Sequence, residues 1–122
     1  EEWKRMEEWL HSIKPKKKLI GIGGNIRSLI EASMKKELKI KEFEKKIEEL
    51  KKLRTEEKIS KFNFSPDRAD VIDHALKIFQ FIAKHLRVEI ITSTKWGISD
   101  SIAVKLFHEL YSNKINIFNN KI

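Results

Sequence analysis

Residues 17–34 read KKLIGIGGNIRSLIEASM and contain a predicted strand, a glycine turn and a predicted helix in immediate succession. The short apolar run at 19–22 is broken by glycines and predicts a buried strand, whereas the apolar residues after Asn25 recur three and four positions apart. That spacing predicts a helix whose apolar face consists of Ile26, Leu29, Ile30 and Ser33 or Met34. The order of strand, glycine turn and helix is typical of α/β proteins.

A second strand and helix are expected near the end of the chain. Residues 88–93, VEIITS, are rich in β-branched residues and precede the turn Thr94-Lys95-Trp96-Gly97, which predicts a strand. A last helix is expected over residues 99–111, with an apolar face of Ile102, Ala103, Leu106, Phe107 and Leu110. The asparagine-rich residues 112–122 are expected to be irregular or to form a weak edge strand.

Three more helices are predicted, over residues 1–13, 39–60 and 65–86. The first has an apolar stripe of Trp3, Met6, Trp9, Leu10 and Ile13. The third has an N-cap signature, Ser65 before Pro66 and Asp67, and its apolar stripe is wide enough to form the centre of the core. That stripe comprises Val71, Ile72, Ala75, Leu76, Phe79, Ile82, Ala83 and Leu86.

The predicted helix over 39–60 has the pattern of an amphipathic surface helix. Phe43, Ile47, Leu50 and Leu53 follow one another at spacings of four and three. Two i,i+4 ion pairs are expected along it, Glu42 with Lys46 and Glu48 with Lys52. A partner-binding coiled coil is the alternative, but the apolar seam does not continue past residue 54.

The two predicted strands are connected through helices, so we expect them to be parallel and to belong to a larger sheet. The predicted fold class is α/β, a helix-rich fragment with two or three parallel strands. A chain of 122 residues is long enough for one core, and the scarcity of glycine and proline gives no sign of a linker. We therefore expect residues 1–122 to be a single unit. Glu1 already lies in helical sequence, which favours a domain boundary upstream.

Composition restricts the possible functions. The chain has no cysteine, which excludes a disulfide framework, thiolate metal ligands and a thiol nucleophile. Lysine and arginine exceed aspartate and glutamate by 26 to 18, a net charge of +8, so an anionic partner is expected unless the lysine-rich helices are only solvated. No apolar run is long enough to span a bilayer, and we expect no membrane association and a cytoplasmic location.

The glycine turn is the strongest candidate for a binding site. In open α/β sheets ligands bind beyond the carboxyl ends of the strands, where Gly23 and Gly24 would let a phosphate approach the backbone. Asn25 could donate to a phosphate oxygen or cap the helix that follows. By itself the pattern also suits a tight turn. The dinucleotide pattern GxGxxG is absent, because Ile26 stands at the position of its last glycine.

Three stretches, in order, resemble landmarks of one protein family. They are GIGGN at residues 21–25, SPDRADVIDHALKIF at 65–79 and EIITSTKWGISDS at 89–101. Together they resemble the second domain of the Ppx/GppA phosphatases, the exopolyphosphatase and guanosine pentaphosphate phosphohydrolase family. In that family a GGT-type turn follows a strand, a helix begins with an ERADVI-like run, and a strand leads into SDWGLREG. The RADVI and WG elements are the most specific parts of the resemblance.

The resemblance implies the C-terminal part of an actin-like, ribonuclease-H-like ATPase-type domain. It also implies a parent enzyme that releases terminal orthophosphate from polyphosphate or pppGpp, with Mg²⁺ as cofactor and with its catalytic groups and metal ligands on an N-terminal domain absent from these residues. The phosphate-binding residues it implies here are Gly23, Gly24, Asn25 and, with an ion pair to nearby acids as the alternative, Arg68. We therefore expect no catalytic or metal-binding residue in this segment, and an inactive fragment.

The sequence departs from the family pattern at three positions. Asn25 stands where the family usually has threonine, Lys95 where it has aspartate, and Ser101 where it has the last glycine of its final motif. These departures predict weakened catalysis or a divergent branch.

Other polar residues are weaker candidates. Asp70 and Asp73 lie three apart on one predicted helix and could bind a metal, although such pairs are usually surface residues. The histidines have neither HExxH spacing nor any other close pair in sequence, which predicts no zinc site. Trp96 is expected to pack in the core rather than stack on a base.

Two other functions stay open. One is a nonenzymatic module that binds polyphosphate or nucleic acid, favoured by the net charge, although nucleic acid is the less expected partner. The other is a homodimer formed through the Phe43–Leu53 stripe.

Overall fold

The computed structural model describes the backbone of residues 1–120 and the side chains of residues 1–112. Residues 121–122 of the predicted tail lie outside this range. Within it the elements are, in chain order, α1 Glu2–His11, β1 Lys18–Gly21, α2 Gly24–Ala32, β2 Glu37–Lys39, α3 Ile40–Lys51, α4 Thr55–Phe62, α5 Pro66–His85, β3 Ile90–Ser93 and α6 Ile98–Asn120. The α/β class and the helix-rich composition are confirmed.

The sheet is mixed rather than all parallel. β3 lies in the centre, parallel to β1 on one side and antiparallel to β2 on the other. The expectation of parallel strands is therefore correct for the predicted pair and wrong for the third strand, β2, which was not predicted and of which only Lys39 falls within the helix predicted over 39–60. β2 follows α2 after only four residues, 33–36.

Among the residues that the structure describes, helices cover one face of the sheet. Leu19, Ile91 and Leu38 lie side by side across the three strands, and the last two are almost completely buried. On the other face Ile20 is 58% exposed, and Lys18 forms an ion pair with Glu37 across β3 at 3.2 Å. Parallel strands are usually covered on both faces, so this face lacks a layer.

α5 forms the centre of the core, as predicted. The Ser65 hydroxyl accepts a hydrogen bond from the Arg68 backbone N–H at 3.4 Å, and Pro66 occupies the first helical turn. Ala69, Ile72, Leu76 and Ala83 are buried along its length. The predicted N-cap explains why this helix begins where it does, and the predicted apolar stripe describes the face it buries except at Val71, which is 48% exposed.

The helix predicted over 39–60 is two helices. The backbone leaves helical geometry at 52–54, with Arg54 extended, so that α3 and α4 each pack against α5. Phe43, Ile47 and Leu50 are at most 2% exposed in the core of the chain. The stripe proposed as a dimerisation seam is thus already covered within the chain.

The ion pairs of α3 differ from those predicted. Glu42 pairs with Lys35 and Glu48 with Lys51, while Glu49 receives both Lys46 at 3.5 Å and Lys61 of α4 at 2.8 Å. The hydrogen bond from Lys61 is the main cause that lowers the pKa of Glu49 below its usual value of 4.5. This carboxylate therefore ties α3 to α4.

Glu49→Gln is expected to reduce stability slightly at neutral pH and not at all in acid. Because the folded pKa of Glu49 is lowered, its contribution is present above the unfolded value and disappears as the pH falls through the folded value. The effect is small because the pair is partly exposed. Urea unfolding of the unchanged chain and of Glu49→Gln, at several pH values between 7 and about 3, measures the difference in stability. A stability difference that persists in acid would contradict the assignment.

The first and last helices bury less than predicted. In α1 only Leu10 is buried, and Trp3 and Trp9 are 53% and 63% exposed. α6 runs on through residues expected to be irregular, because no glycine or proline follows Gly97 to end it. Its expected core-facing residues are exposed, including Phe107 at 64% and Leu110 at 64%. No helix within the described residues is long and apolar enough to cross a membrane.

Candidate phosphate-binding site

The two turns singled out in the sequence lie side by side. β1 and β3 are parallel neighbours, and their last residues, Gly21 and Ser93, are paired. The Thr94 N–H donates to the Gly21 carbonyl oxygen at 3.3 Å. The glycine turn after β1 and the turn after β3 therefore leave the sheet together at its carboxyl edge, where ligands of open α/β sheets bind.

Gly23 shapes the first turn. Its backbone has φ 112° and ψ 171°, a region that is essentially restricted to glycine, and it stands immediately before α2. The first N–H groups of a helix have no partner within the helix and carry partial positive charge. The turn thus presents the start of α2 at the edge of the sheet, where an anion would be stabilised.

Gly23→Ala is expected to destabilise the fold by about 1–2 kcal/mol through backbone strain alone. A Cβ at this position would meet nothing within 4 Å, so steric contact contributes nothing. Gly97→Ala is the matched control, because Gly97 lacks the left-handed φ and its Cβ would be 3.5 Å from the nearest atom. If Gly23→Ala and Gly97→Ala unfold at the same urea concentration, the backbone at position 23 imposes no strain on an alanine.

Gly24, Asn25 and Arg68 form one contact. Arg68 reaches from the first turn of α5, and its Nη1 donates to Asn25 Oδ1 at 2.9 Å. Its guanidinium lies in the space that a side chain at position 24 would fill, since a Cβ there would be only 1.9 Å from Nη2. The structure thus brings together all four predicted phosphate-binding residues. The alternative prediction, an ion pair of Arg68 with nearby acids, is wrong, because its partner is an amide.

Arg27 is a site residue that the sequence reasoning did not identify. Its Nε donates to the Thr94 carbonyl oxygen and its Nη2 to the Lys95 carbonyl oxygen, both at 3.2 Å. It therefore fixes the second turn against the start of α2. An arginine two positions after the glycine turn was a possible signal, but its partners are 67 and 68 residues away.

The second turn is held by its own hydrogen bonds. Thr94 Oγ1 accepts from the Trp96 N–H at 3.1 Å, and Asp100 Oδ2 accepts from the Gly97 N–H at 2.6 Å. Ser101 donates through its N–H and its hydroxyl to the Gly97 carbonyl oxygen. Trp96 is 53% exposed, so the prediction that it packs in the core is wrong. Lys95, also exposed, adds a cation beside the glycine turn.

The chemistry of this edge suits an anion. Its groups are backbone N–H groups, the Asn25 amide and the guanidinium of Arg68, whose further N–H groups can donate to phosphate oxygens. These donors do not fit Mg²⁺, which requires oxygen ligands, and Asp100, the acid of the second turn, caps the Gly97 N–H. We derive no metal-dependent step from these residues.

The two aspartates considered as metal ligands have other partners. Asp73 forms an ion pair with Lys58 of α4, whose side chain is only 7% exposed. Asp70 accepts a weak hydrogen bond from the Thr55 hydroxyl at 3.4 Å. Both residues thus attach α5 to α4, on the flank of the helix rather than at the glycine turn.

Comparison with known proteins finds similar proteins by structure but none by sequence. No family model matches the chain, and no curated protein matches it in sequence. Solved structures of the Ppx/GppA phosphatase of Aquifex aeolicus do match. The type II variant has a TM-score of 0.70 at 22% identity, over 84% of this chain and 39% of that one. A second structure of the Aquifex aeolicus family member has a TM-score of 0.68 at 21% identity, over 88% and 40%.

These likenesses agree with the resemblance found in the sequence at residues 21–25, 65–79 and 89–101. The chain spans about two fifths of the length of the solved structures it matches. The chain therefore has the fold of a part of the Ppx/GppA phosphatases, a helix-rich α/β fold with a small mixed sheet.

Proposed function

We propose that this chain is the C-terminal part of a Ppx/GppA-like hydrolase that releases terminal orthophosphate from polyphosphate or pppGpp. In this proposal the 122 residues form one wall of the phosphate-binding cleft and are inactive alone. The observation that carries it is the contact of Arg68 with Asn25 over Gly24. It gathers the residues implied by the resemblance at the carboxyl edge of a fold shared with such phosphatases.

Each residue has a role in this proposal. The N–H groups at the start of α2 and the Asn25 amide bind phosphate oxygens, and Arg68 binds one phosphoryl group through two of its N–H groups. Since Asn25 Oδ1 is occupied by Arg68, its amide nitrogen is oriented as a donor. Because phosphoryl transfer depends mainly on positioning and charge stabilisation, such a wall raises the rate by holding the substrate in line.

Incomplete surfaces support the assignment to a larger protein. No helix of the described residues 1–120 covers the face of the sheet that carries Ile20 and Thr92, and β1 forms an edge of the sheet. The described part of α6 is exposed along its whole length, with Leu106, Phe107 and Leu110 each more than half exposed. Adjacent exposed apolar residues on one helix indicate an interaction surface. We assign this surface to the rest of the hydrolase.

The remaining parts of the proposal follow from the family. The catalytic groups and the Mg²⁺ ligands lie on an N-terminal domain, and the enzyme acts in the cytoplasm. Of the three departures, Lys95 has the clearest consequence, because it adds positive charge where the family has a carboxylate. We expect this lysine to strengthen binding of long polyanions and to slow product release.

The decisive experiment measures orthophosphate release from polyphosphate and from pppGpp with Mg²⁺ present. The 122-residue chain is compared with the same chain extended by the preceding sequence of its gene. We expect release by the longer protein only. If neither protein releases phosphate, the hydrolase assignment is wrong. If the short chain releases phosphate alone, the proposal that the cleft needs a second wall from the preceding sequence is wrong.

A nonenzymatic polyanion-binding module is the second candidate, favoured by the net charge of +8 and by Arg68 and Lys95 at one edge. Its distinguishing property is binding of polyphosphate by the short chain with a steep dependence on salt. Such binding without phosphate release from the longer protein would favour this candidate over the hydrolase.

A further inference from the structure

A second cluster of polar groups lies at the opposite end of the sheet. Glu7 and His11 are one turn apart at the end of α1, and His85 is the last residue of α5. One ligand atom of each lies within 4.8 Å of those of the other two. The histidine rings are 5.0 Å apart although 74 positions separate them in the sequence, which is why their spacing gave no sign of a site.

The hydrogen bonds of His85 leave one lone pair without a matching donor. Its Nδ1 lies 2.8 Å from the Phe81 carbonyl oxygen, which only accepts, so this nitrogen carries a proton. In the neutral ring Nε2 is then an acceptor, yet it lies 3.2 Å from Glu7 Oε1, another acceptor. The two atoms therefore need a proton between them, on Nε2 or on the carboxyl oxygen, or a bound cation.

The distance between Glu7 and His85 fits a zinc site, and the His11 ligand atom lies within 4.8 Å of both. Ligand bonds of about 2.0–2.1 Å at tetrahedral angles place two ligand atoms roughly 3.3 Å apart, close to the observed 3.2 Å. A metal-bound histidine usually donates its other N–H to a carbonyl or carboxylate, which fixes the ring, and Phe81 provides this acceptor. Two imidazoles and one carboxylate form a donor set that zinc prefers and that Mg²⁺ does not.

Space for a fourth ligand lies beside the cluster. His11 and His85 border a cavity of about 260 Å³ that is also lined by Ile13, Pro15 and Arg87. The cavity admits a water molecule or a small anion. Arg87 opposes a bare cation there but suits a site whose fourth ligand is an anion, such as hydroxide or phosphate.

We propose that Glu7, His11 and His85 bind one Zn²⁺ ion, which fastens α1 to the end of α5. The site lies at the amino ends of β1 and β3, where the Lys16 N–H donates to the Leu86 carbonyl oxygen, and therefore at the opposite end from the phosphate-binding turns. Since α1 has Leu10 as its one buried residue, a metal bridge would add substantially to its attachment.

The test uses the 122-residue chain freed of metal and titrated with Zn²⁺ by calorimetry, then with Co²⁺ while visible absorption is recorded. We expect one Zn²⁺ per chain in the micromolar range or tighter, and a Co²⁺ spectrum of tetrahedral type. We also expect the midpoint temperature of thermal unfolding to rise by about 5–10 °C when the Zn²⁺ concentration is a hundred times its Kd. Millimolar Mg²⁺ should not compete.

His11→Ala and Glu7→Gln change exposed side chains and should each weaken Zn²⁺ binding about 100-fold or more, since even outer-shell changes cost 10–100-fold. His74→Ala, on the exposed side of α5, is the matched control and should bind zinc like the unchanged chain. Zinc binding that is absent, or that survives both ligand substitutions, would overturn the proposal and leave a proton-bridged pair of His85 and Glu7.

Discussion

Asp73→Ala is expected to lower the free energy of unfolding by about 3 kcal/mol, because it leaves a buried ammonium group without a counter-charge. Lys58 is 5% exposed, and its Nζ contacts Asp73 Oδ2. The Asp73 side chain is 30% exposed, which limits the loss to the lower part of the range for buried pairs. Urea unfolding followed by circular dichroism measures the change.

Two variants isolate the cause. Asp70→Ala removes a neighbouring carboxylate with only a weak hydrogen bond from Thr55, and should change stability by about 0.5 kcal/mol or less. Lys58→Met removes the buried charge itself while keeping most of the side-chain volume, so it should cost less than Asp73→Ala. Equal losses of stability in Asp70→Ala and Asp73→Ala would contradict a stabilising ion pair between Lys58 and Asp73. Equal losses that a chelator reproduces would instead support a metal held by both aspartates.

The second large effect is expected at Arg68. In the longer protein of the proposed hydrolase, Arg68→Ala should lower the rate of phosphate release by about 10²–10³-fold, the loss seen when one preorganised donor to a reacting group is removed. Arg68→Lys should restore only part of the rate, because a lysine cannot donate to two phosphate oxygens in a fixed fork. A rate within a factor of about three of the unchanged enzyme would remove Arg68 from the site.

Gly24→Ala tests whether Arg68 acts through its contact with Asn25. The added Cβ would be 1.9 Å from Arg68 Nη2, so the end of a flexible side chain must move away while the core stays in place. We expect nearly unchanged stability and a loss of rate similar to that of Arg68→Ala. In a protein that already carries Arg68→Ala, Gly24→Ala should lower the rate of phosphate release hardly any further, because the guanidinium that the new Cβ would displace is already absent. Additive losses would mean that Gly24 acts independently.

Much of the fold could be predicted because local signals and packing agree. The N-cap at Ser65, the glycine turn at residues 21–25 and the β-branched run at 88–93 each specify their structure over a few residues. The resemblance likewise suggested the candidate phosphate-binding residues together, and the structure brings Gly24, Asn25 and Arg68 into contact. These are positions where the chemistry of single residues limits the backbone.

The features that were missed depend on partners distant in the sequence. β2 has only three residues, and its pairing with β3 rather than its composition makes it a strand. The division between α3 and α4 follows from packing both on α5, which the periodicity of residues 39–60 cannot reveal. The contact of Arg27 with the second turn and the pairing of Lys58 with Asp73 connect different elements. For the same reason the cluster of Glu7, His11 and His85 was invisible.

The close packing of the Arg68 guanidinium on Gly24 restricts how this protein can evolve. We expect a change of Gly24 to a larger residue to impair the proposed phosphate release while Arg68 is present, and to be neutral once a shorter residue has replaced Arg68. The codons for Gly24 and Arg68, 44 positions apart in the gene, should therefore vary together, with the arginine lost first. Lineages that keep the arginine should keep the glycine even where the remainder of the turn has diverged.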